Sequence, residues 1–255
     1  MKELSIQIPA YNELESLKMI LPELLEFAKQ NNSEVIIIDD GSTDGTAEYF
    51  EKNYNGRIEL KTHSVNKGYG AALKKGIECS TKEYIVNFDG DGQHCVADIE
   101  KLFTHFCNTE SSMVVGKREG INHSTSYKIF GKKIIRAFIT FAFRKKIPVS
   151  DINSGFKIFS KEKALKVIRQ CPDSMAFSEC ITILFTYSNF KISEVPVSAD
   201  RRLNGQSKAN TVAAFHSLFD IFKLSLTLNP VFVIINLFVI LALLILAVFI
   251  TVLLL

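Results

Sequence analysis

Short apolar runs alternate with helical patterns along the first half of the chain. Leu4–Pro9 reads as a strand, about Glu13–Lys29 as a helix, and Val35–Ile38 as a second strand. Asp44 looks like the cap of a helix through Glu51. Ile58–His63 is predicted as a third strand, Gly70–Cys79 as a helix and Tyr84–Phe88 as a fourth strand. Continuous apolar strands separated by helices predict an α/β domain whose mostly parallel sheet is covered on both faces. Ligands of such sheets bind beyond the carboxyl ends of the strands. Three of the expected strands end there in polar, turn-forming clusters: Pro9-Ala10-Tyr11-Asn12-Glu13, Asp39-Asp40-Gly41-Ser42 and Asp89-Gly90-Asp91. The pattern brings all three to one edge.

The second half is less regular. Tyr127–Lys146 carries Lys128, Lys132, Lys133, Arg136, Arg144, Lys145 and Lys146 between large apolar residues, with no acid. This composition predicts a helix lying in a membrane interface; a core-packed helix with a solvated basic face has the same signature. Thr211–Leu228 is a second amphipathic candidate, and no charge follows Lys223. Asn229-Pro230 reads as an N-cap and first helical position. Residues 1–210 are therefore expected to form the main domain, 211–229 a juxtamembrane helix and 230–255 a transmembrane anchor. Arg201, Arg202, Lys208 and Lys223 precede the anchor, so the positive-inside rule predicts a single-pass protein of the cell (inner) membrane with its domain in the cytoplasm.

The 255 residues suffice for one sizeable domain, and a net charge of +3 is too small to suggest nucleic acid. Five cysteines, Cys79, Cys95, Cys107, Cys171 and Cys180, form no CxxC pair, which predicts reduced thiols rather than zinc or a disulfide framework. The strand-like opening predicts no signal peptide.

Asp89-Gly90-Asp91 is the segment richest in chemistry. Carboxylates at i and i+2 in a turn after a strand can face one hard cation, Mg²⁺ or Mn²⁺, which needs only one or two carboxylates beside water and phosphate. The intervening glycine lets a phosphate approach the backbone. A plain polar turn would use the same residues.

Taken together, Ile8–Glu13, Ile38–Thr46, Asn66–Ala72 and Asp89–His94 resemble glycosyltransferase family 2, with its nucleotide-diphospho-sugar transferase (GT-A) fold, over roughly residues 1–210. Gln93, the Asp151–Phe159 segment DINSGFKIF, which looks like an acceptor-side loop, and the Arg202–Lys208 segment RLNGQSK are similar to the branch containing dolichyl-phosphate mannosyltransferase and bacterial polyprenyl-phosphate transferases. The chain has no tryptophan, so the Gln-x-x-Arg-Trp motif of the processive synthases is absent.

The resemblance implies roles residue by residue. Pro9, Tyr11 and Glu13 would line the nucleobase and ribose pocket, closed by Asp40 with Asp39. Asp89 and Gly90 would meet ribose or sugar. Asp91, helped by Gln93 and Asp89, would hold Mg²⁺ or Mn²⁺ on the diphosphate. Arg118 would lie near a substrate phosphate, and Arg202 and Lys208 would clamp phosphates. The implied reaction is inverting transfer of a hexose from GDP-mannose or a UDP-hexose to a polyprenyl phosphate. Two alternatives stand beside it: transfer to a hydroxyl of a lipid-linked glycan or a diacylglycerol with Glu179 as base, and a non-catalytic nucleotide-sugar-binding membrane adaptor. Glu179 otherwise supports the acceptor loop, and Glu194 is expected to be structural. A homo-oligomer and a separate flippase are both left open.

Overall fold

The computed structural model describes residues 4–119, 136–198 and 211–236. Among them, β1 (Leu4–Ala10), β2 (Glu34–Asp39), β3 (Glu59–Thr62), β4 (Tyr84–Asn87), β5 (Met113–Glu119), β6 (Lys157–Ser160) and β7 (Ile192–Ser198) form one sheet in the order β3-β2-β1-β4-β6-β5-β7. All neighbours run parallel except β6, which is antiparallel to both β4 and β5. The expected mostly parallel sheet is therefore present.

Alternating side chains supply two faces. Ile6, Ile8, Val35, Ile37 and Val86 pack with Leu17, Leu21 and Leu24 of α1 (Leu14–Gln30) and with Ile99 and Leu102 of α4 (Ala97–Asn108). On the other face, Ile85, Met113, Val115 and Phe159 pack with Leu73 and Ile77 of α3 (Tyr69–Cys79) and Ile181 and Phe185 of α7 (Phe177–Tyr187). Each fully buried aliphatic or aromatic side chain contributes about 1.5–3 kcal/mol. The sheet is thus a firm base for the loops at its edge.

The chain leaves β1 for β2 on one side and reaches β4 on the other. This reversal opens a crevice at the carboxyl ends of β1 and β4, the place where such sheets bind ligands. Gly41 lies in that region at φ +74°, with the Val65 carbonyl carbon 2.6 Å from where a Cβ would stand. The β2 loop and the segment after β3 consequently pack backbone to backbone.

Two elements expected at a membrane differ from their sequence pattern. Helix α5 is described over residues 136–143 and stops before Lys146, because Arg144 adopts φ 51°. The Arg136 guanidinium, one of the basic residues of that expected helix, donates to the carbonyls of Val149 at 2.6 Å and Ile147 at 2.8 Å. Residues 127–135 lie outside the described residues.

At the C-terminal side, α8 (Thr211–Leu228) is followed after Asn229 by helical residues Pro230–Asn236, bent by 116° from it. Among the described residues no single helix is long and apolar enough to cross a membrane; this bent pair passes by length and composition together. Asn229 pins the bend: its side-chain amide donates to the Ala142 carbonyl at 3.3 Å, and its Oδ1 accepts from the Tyr187 hydroxyl at 3.1 Å. The expected anchor beyond Asn236 lies outside the described residues.

Candidate active site

The first two strand-end loops are laced together. Asn12, at φ 56°, donates its backbone N–H to the Ser42 hydroxyl oxygen at 2.9 Å, and its side-chain Oδ1 accepts from Thr43 N–H at 2.8 Å. Asp44 accepts from the amides of Leu14 and Thr46, both at 3.1 Å, which joins the start of α1 to the start of α2 (Thr46–Tyr54). Pro9 is buried in β1 opposite Ile38, while Tyr11 and Glu13 are half-buried just after it.

The two aspartates that follow β2 differ in use. Asp39 is 2% exposed; its Oδ2 accepts from Ser42 N–H at 3.2 Å, and its Oδ1 is buried without a hydrogen-bond partner among the described residues. A buried carboxylate oxygen left open costs free energy unless a ligand supplies a donor. Asp40 is already committed. Its Oδ1 meets His63 Nδ1 at 2.7 Å and Lys67 N–H at 3.0 Å, and its Oδ2 meets Gly68 N–H at 2.8 Å. Asp40 thereby holds the Lys67-Gly68 turn ahead of α3.

Asp89 stands at the centre. Its Oδ1 accepts from the Tyr69 hydroxyl at 3.0 Å, and its Oδ2 lies 3.6 Å from His94 Nε2. Burial opposes its charge, but His94, the Tyr69 hydroxyl and the Arg118 charge outweigh that and hold the carboxyl below the ordinary aspartate value. Burial, reinforced by the Asp89 charge, pushes the Tyr69 phenol up, so it remains a donor. The His94 ring stacks on Phe156 with centroids 4.6 Å apart. Gly90 backs onto Ile8 and Leu17. Asp91 is 5% exposed and accepts from Gln93 N–H at 3.0 Å.

A further loop, residues 151–156, closes over Asp89. Gly155 has no room for a side chain, because a Cβ there would collide with the Asp89 carboxylate and the Tyr69 hydroxyl. The same loop grips Arg118, which donates to Asp151 through Nε and Nη2 and to Asn153 Oδ1 at 3.3 Å. The Asp151 bonds raise the Arg118 pKa above its ordinary value. Beneath the loop, Glu179 at the start of α7 has a buried Oε2 without a partner among the described residues, and burial raises its pKa. Glu194 caps the neighbouring turn by accepting from the Ser150 hydroxyl at 2.9 Å, the structural role expected of it. Arg202 and Lys208 lie outside the described residues.

Tyr69, His94, Asp151 and Lys157 lie at this site, and the sequence assigns none of them an individual role, although Asp151 and Lys157 fall in the DINSGFKIF segment. Tyr69 and His94 fall inside quoted motifs, whereas the pairing of Asp151 with Arg118 spans 33 residues and has no local signal. Among the described residues, no group of three or more His, Cys, Asp or Glu side chains is placed to hold a metal. Two hard carboxylates without a completed cage are nonetheless a donor set that fits Mg²⁺ or Mn²⁺ shared with substrate phosphates.

The sequence profile of Glycosyl transferase family 2 matches residues 5–168. A UDP-N-acetylglucosamine–dolichyl-phosphate N-acetylglucosaminyltransferase of Methanococcus voltae is 32% identical, over 74% of this chain and 82% of its own. The dolichyl-phosphate β-glucosyltransferase of Dictyostelium discoideum is 30% identical over 76% of this chain, which spans 65% of that longer relative. Among solved structures, glucosyl-3-phosphoglycerate synthase of Mycobacterium tuberculosis, in complex with Mn²⁺, UDP and glucosyl-3-phosphoglycerate, superposes with a TM-score of 0.67 at 16% identity, covering 89% of this chain and 79% of that one. That likeness is one of fold.

Proposed function

The chain belongs to glycosyl transferase family 2 and is a glycosyltransferase, and from that premise we propose that it moves a hexose from a nucleotide-diphospho-sugar to a polyprenyl phosphate. The observation that carries this reading is the closure of loop 151–156, which grips Arg118 of β5, over Asp89. Donor-side and acceptor-side elements thereby meet at one carboxylate. The dolichyl-phosphate acceptors in the names of the relatives support the same acceptor class here.

In this reading Pro9, Tyr11 and Glu13 flank the nucleoside, and the open Asp39 Oδ1 accepts an N–H of the base. Asp91, Asp89 and Gln93 would hold Mg²⁺ or Mn²⁺, and the Mn²⁺ and UDP of the structural neighbour support a divalent ion. When bound, that ion neutralises charge on the departing nucleoside diphosphate. Tyr69 and His94 keep Asp89 ionised and oriented toward ribose or sugar. Arg118 orients the acceptor phosphate, exchanging part of its bonding to Asp151 for phosphate oxygens; its fork suits bidentate contact. Arg202 and Lys208 add charge from outside the described residues.

The acceptor phosphate is an anion at neutral pH, so its oxygen attacks the anomeric carbon without a general base, with inversion. Exposed Phe141, Phe215, Phe219, Val231 and Ile235 support delivery of that acceptor from a bilayer that α8 and the following bend would touch. An anchor beyond Asn236, with the domain on the cytoplasmic side of the cell membrane, completes the proposal.

One observation favours a second reading. The open, buried Glu179 Oε2 is the sort of group that serves as base toward a sugar hydroxyl of a lipid-linked glycan or a diacylglycerol. Incubation with labelled donor and polyprenyl phosphate separates the two: a mild-acid-labile lipid product supports the first, a stable one the second.

A further inference from the structure

Resting on the reading of residues 151–156 as the acceptor-side loop, we propose that Lys157 is a positioning residue. Its ammonium clamps this loop to the start of α7 and thereby presents Arg118 to the acceptor phosphate.

Lys157 is 0% exposed, which is rare for a lysine. It opens β6 with its Cα opposite both Asn87 and Val115, in the middle of the sheet. Alternation gives Ile158 to one core and sends Lys157 to the face of Phe159, below α7. An ammonium has three N–H donors and no acceptor. Here all three go to backbone carbonyls: Ser178 at 2.9 Å, Ile152 at 3.1 Å, and Ser154. A buried cation without such partners would be strongly unfavourable.

The three acceptors define what is tied to what. Ile152 and Ser154 flank Asn153 within the loop, and Ser178 lies in the first turn of α7. Asp151 and Asn153 hold Arg118 at 2.9 Å and 3.3 Å, while Gly155 fits against Asp89 and Tyr69. Release of the ammonium therefore loosens the loop and its grip on Arg118, while Asp89 keeps its Tyr69 and His94 contacts and Asp39, Asn12 and Asp44 on the nucleotide side have separate bonds.

The clamp has a direction in pH. Glu179 on α7, Asp151 on the loop and Asp89 after β4 face Lys157 and favour its charge, while Arg118 on β5 opposes it. Burial is the largest influence and lowers the Lys157 pKa to about 8. The neutral amine keeps two N–H donors, so one carbonyl loses its bond above that pH. A lysine whose folded pKa lies below its unfolded value adds stability as pH rises between the two. Loop release at alkaline pH is thus distinct from unfolding.

The test uses the full chain in detergent, wild type and K157M, with amide hydrogen exchange at matched pH, melting temperature, and initial rates with each substrate varied. At pH 7, K157M is expected to exchange residues 151–156 at least tenfold faster, with the β1, β2 and β4 amides unchanged. Its KM for polyprenyl phosphate should rise at least tenfold and its KM for the donor change less than twofold. Wild type should show the same acceptor-specific rise between pH 7 and 9.5 with no fall in melting temperature. Should K157M not fold, the wild-type pH series alone decides. Unchanged loop exchange, or a pH-independent acceptor KM, overturns the clamp. Faster loop exchange in a protein that makes no polyprenyl-phosphate product keeps the clamp and overturns the acceptor assignment instead.

Discussion

Arg118 and Asp151 meet in a two-pronged ion pair, Nε donating to Oδ2 at 2.8 Å and Nη2 to Oδ1 at 2.9 Å. The Asp151 side chain is 11% exposed and the Arg118 side chain 33%, so the carboxylate is sheltered while the guanidinium stays open to the cleft. Lysine at position 118 keeps the charge but cannot form the fork. Loss of one charge-assisted bond costs about 1.5–3 kcal/mol, or roughly 10–100-fold. R118K is expected to lose that much in kcat/KM for the acceptor while the donor KM stays within twofold, as read from initial rates with each substrate varied.

Asp91 tests the divalent ion. D91N keeps the shape and removes the charge, and transfer with saturating Mg²⁺ or Mn²⁺ should fall by about 100-fold or more, the usual scale for losing an electrostatic stabiliser. Chelation should stop wild-type transfer, and either ion should restore it. Transfer by D91N at the wild-type rate would remove the ion from the account.

Glu179 separates a supporting side chain from a base. E179Q is expected to keep transfer to polyprenyl phosphate within about tenfold, whereas loss of a general base costs about 10²–10⁴-fold. Burial raises the folded pKa of Glu179 above its unfolded value. Its protonated form therefore favours the fold at low pH, and that advantage disappears as pH rises through the folded pKa. The melting temperature of E179Q relative to wild type should accordingly be higher at pH 8 than at pH 5.

The convergence of the proposed nucleotide-side strand ends is legible in the sequence, because its signals are local. The apolar runs of β1, β2 and β4 end in Tyr11, Asp39 and Asp89, and the sheet order brings those ends together. Asn229-Pro230 likewise marks a helix restart, although the 116° bend there depends on Ala142 and Tyr187, which no local pattern contains. The acceptor side is less legible. Lys157 falls inside the DINSGFKIF segment, but nothing local marks it as buried; its bond to the distant Ser178 carbonyl does. Asp40 reads as a ligand residue from its motif, yet His63 and the Lys67-Gly68 backbone take its oxygens. Such commitments are tertiary and have no spacing to read.

The proposed bilayer contact rests on exposed apolar side chains of α8. Phe215 is 70% exposed and Phe219 is 55% exposed, with the Lys223 ammonium 4.5 Å above the Phe219 ring. Burying one such ring is worth about 1.5–3 kcal/mol. An environment-sensitive fluorophore attached to F215C should brighten and shift to the blue when phosphatidylglycerol vesicles are added, while the same label on E15C should not respond. Equal behaviour of the two labels would take α8 off the membrane.

The most direct measurement is the product itself. Membranes containing the chain are incubated with labelled nucleotide-sugar donors and added polyprenyl phosphate, and the lipid extract is treated with mild acid. The account predicts a labelled lipid that forms only with added polyprenyl phosphate and releases its sugar under mild acid, as a glycosyl phosphate does. A labelled lipid stable to that treatment, or none with any donor, would contradict it.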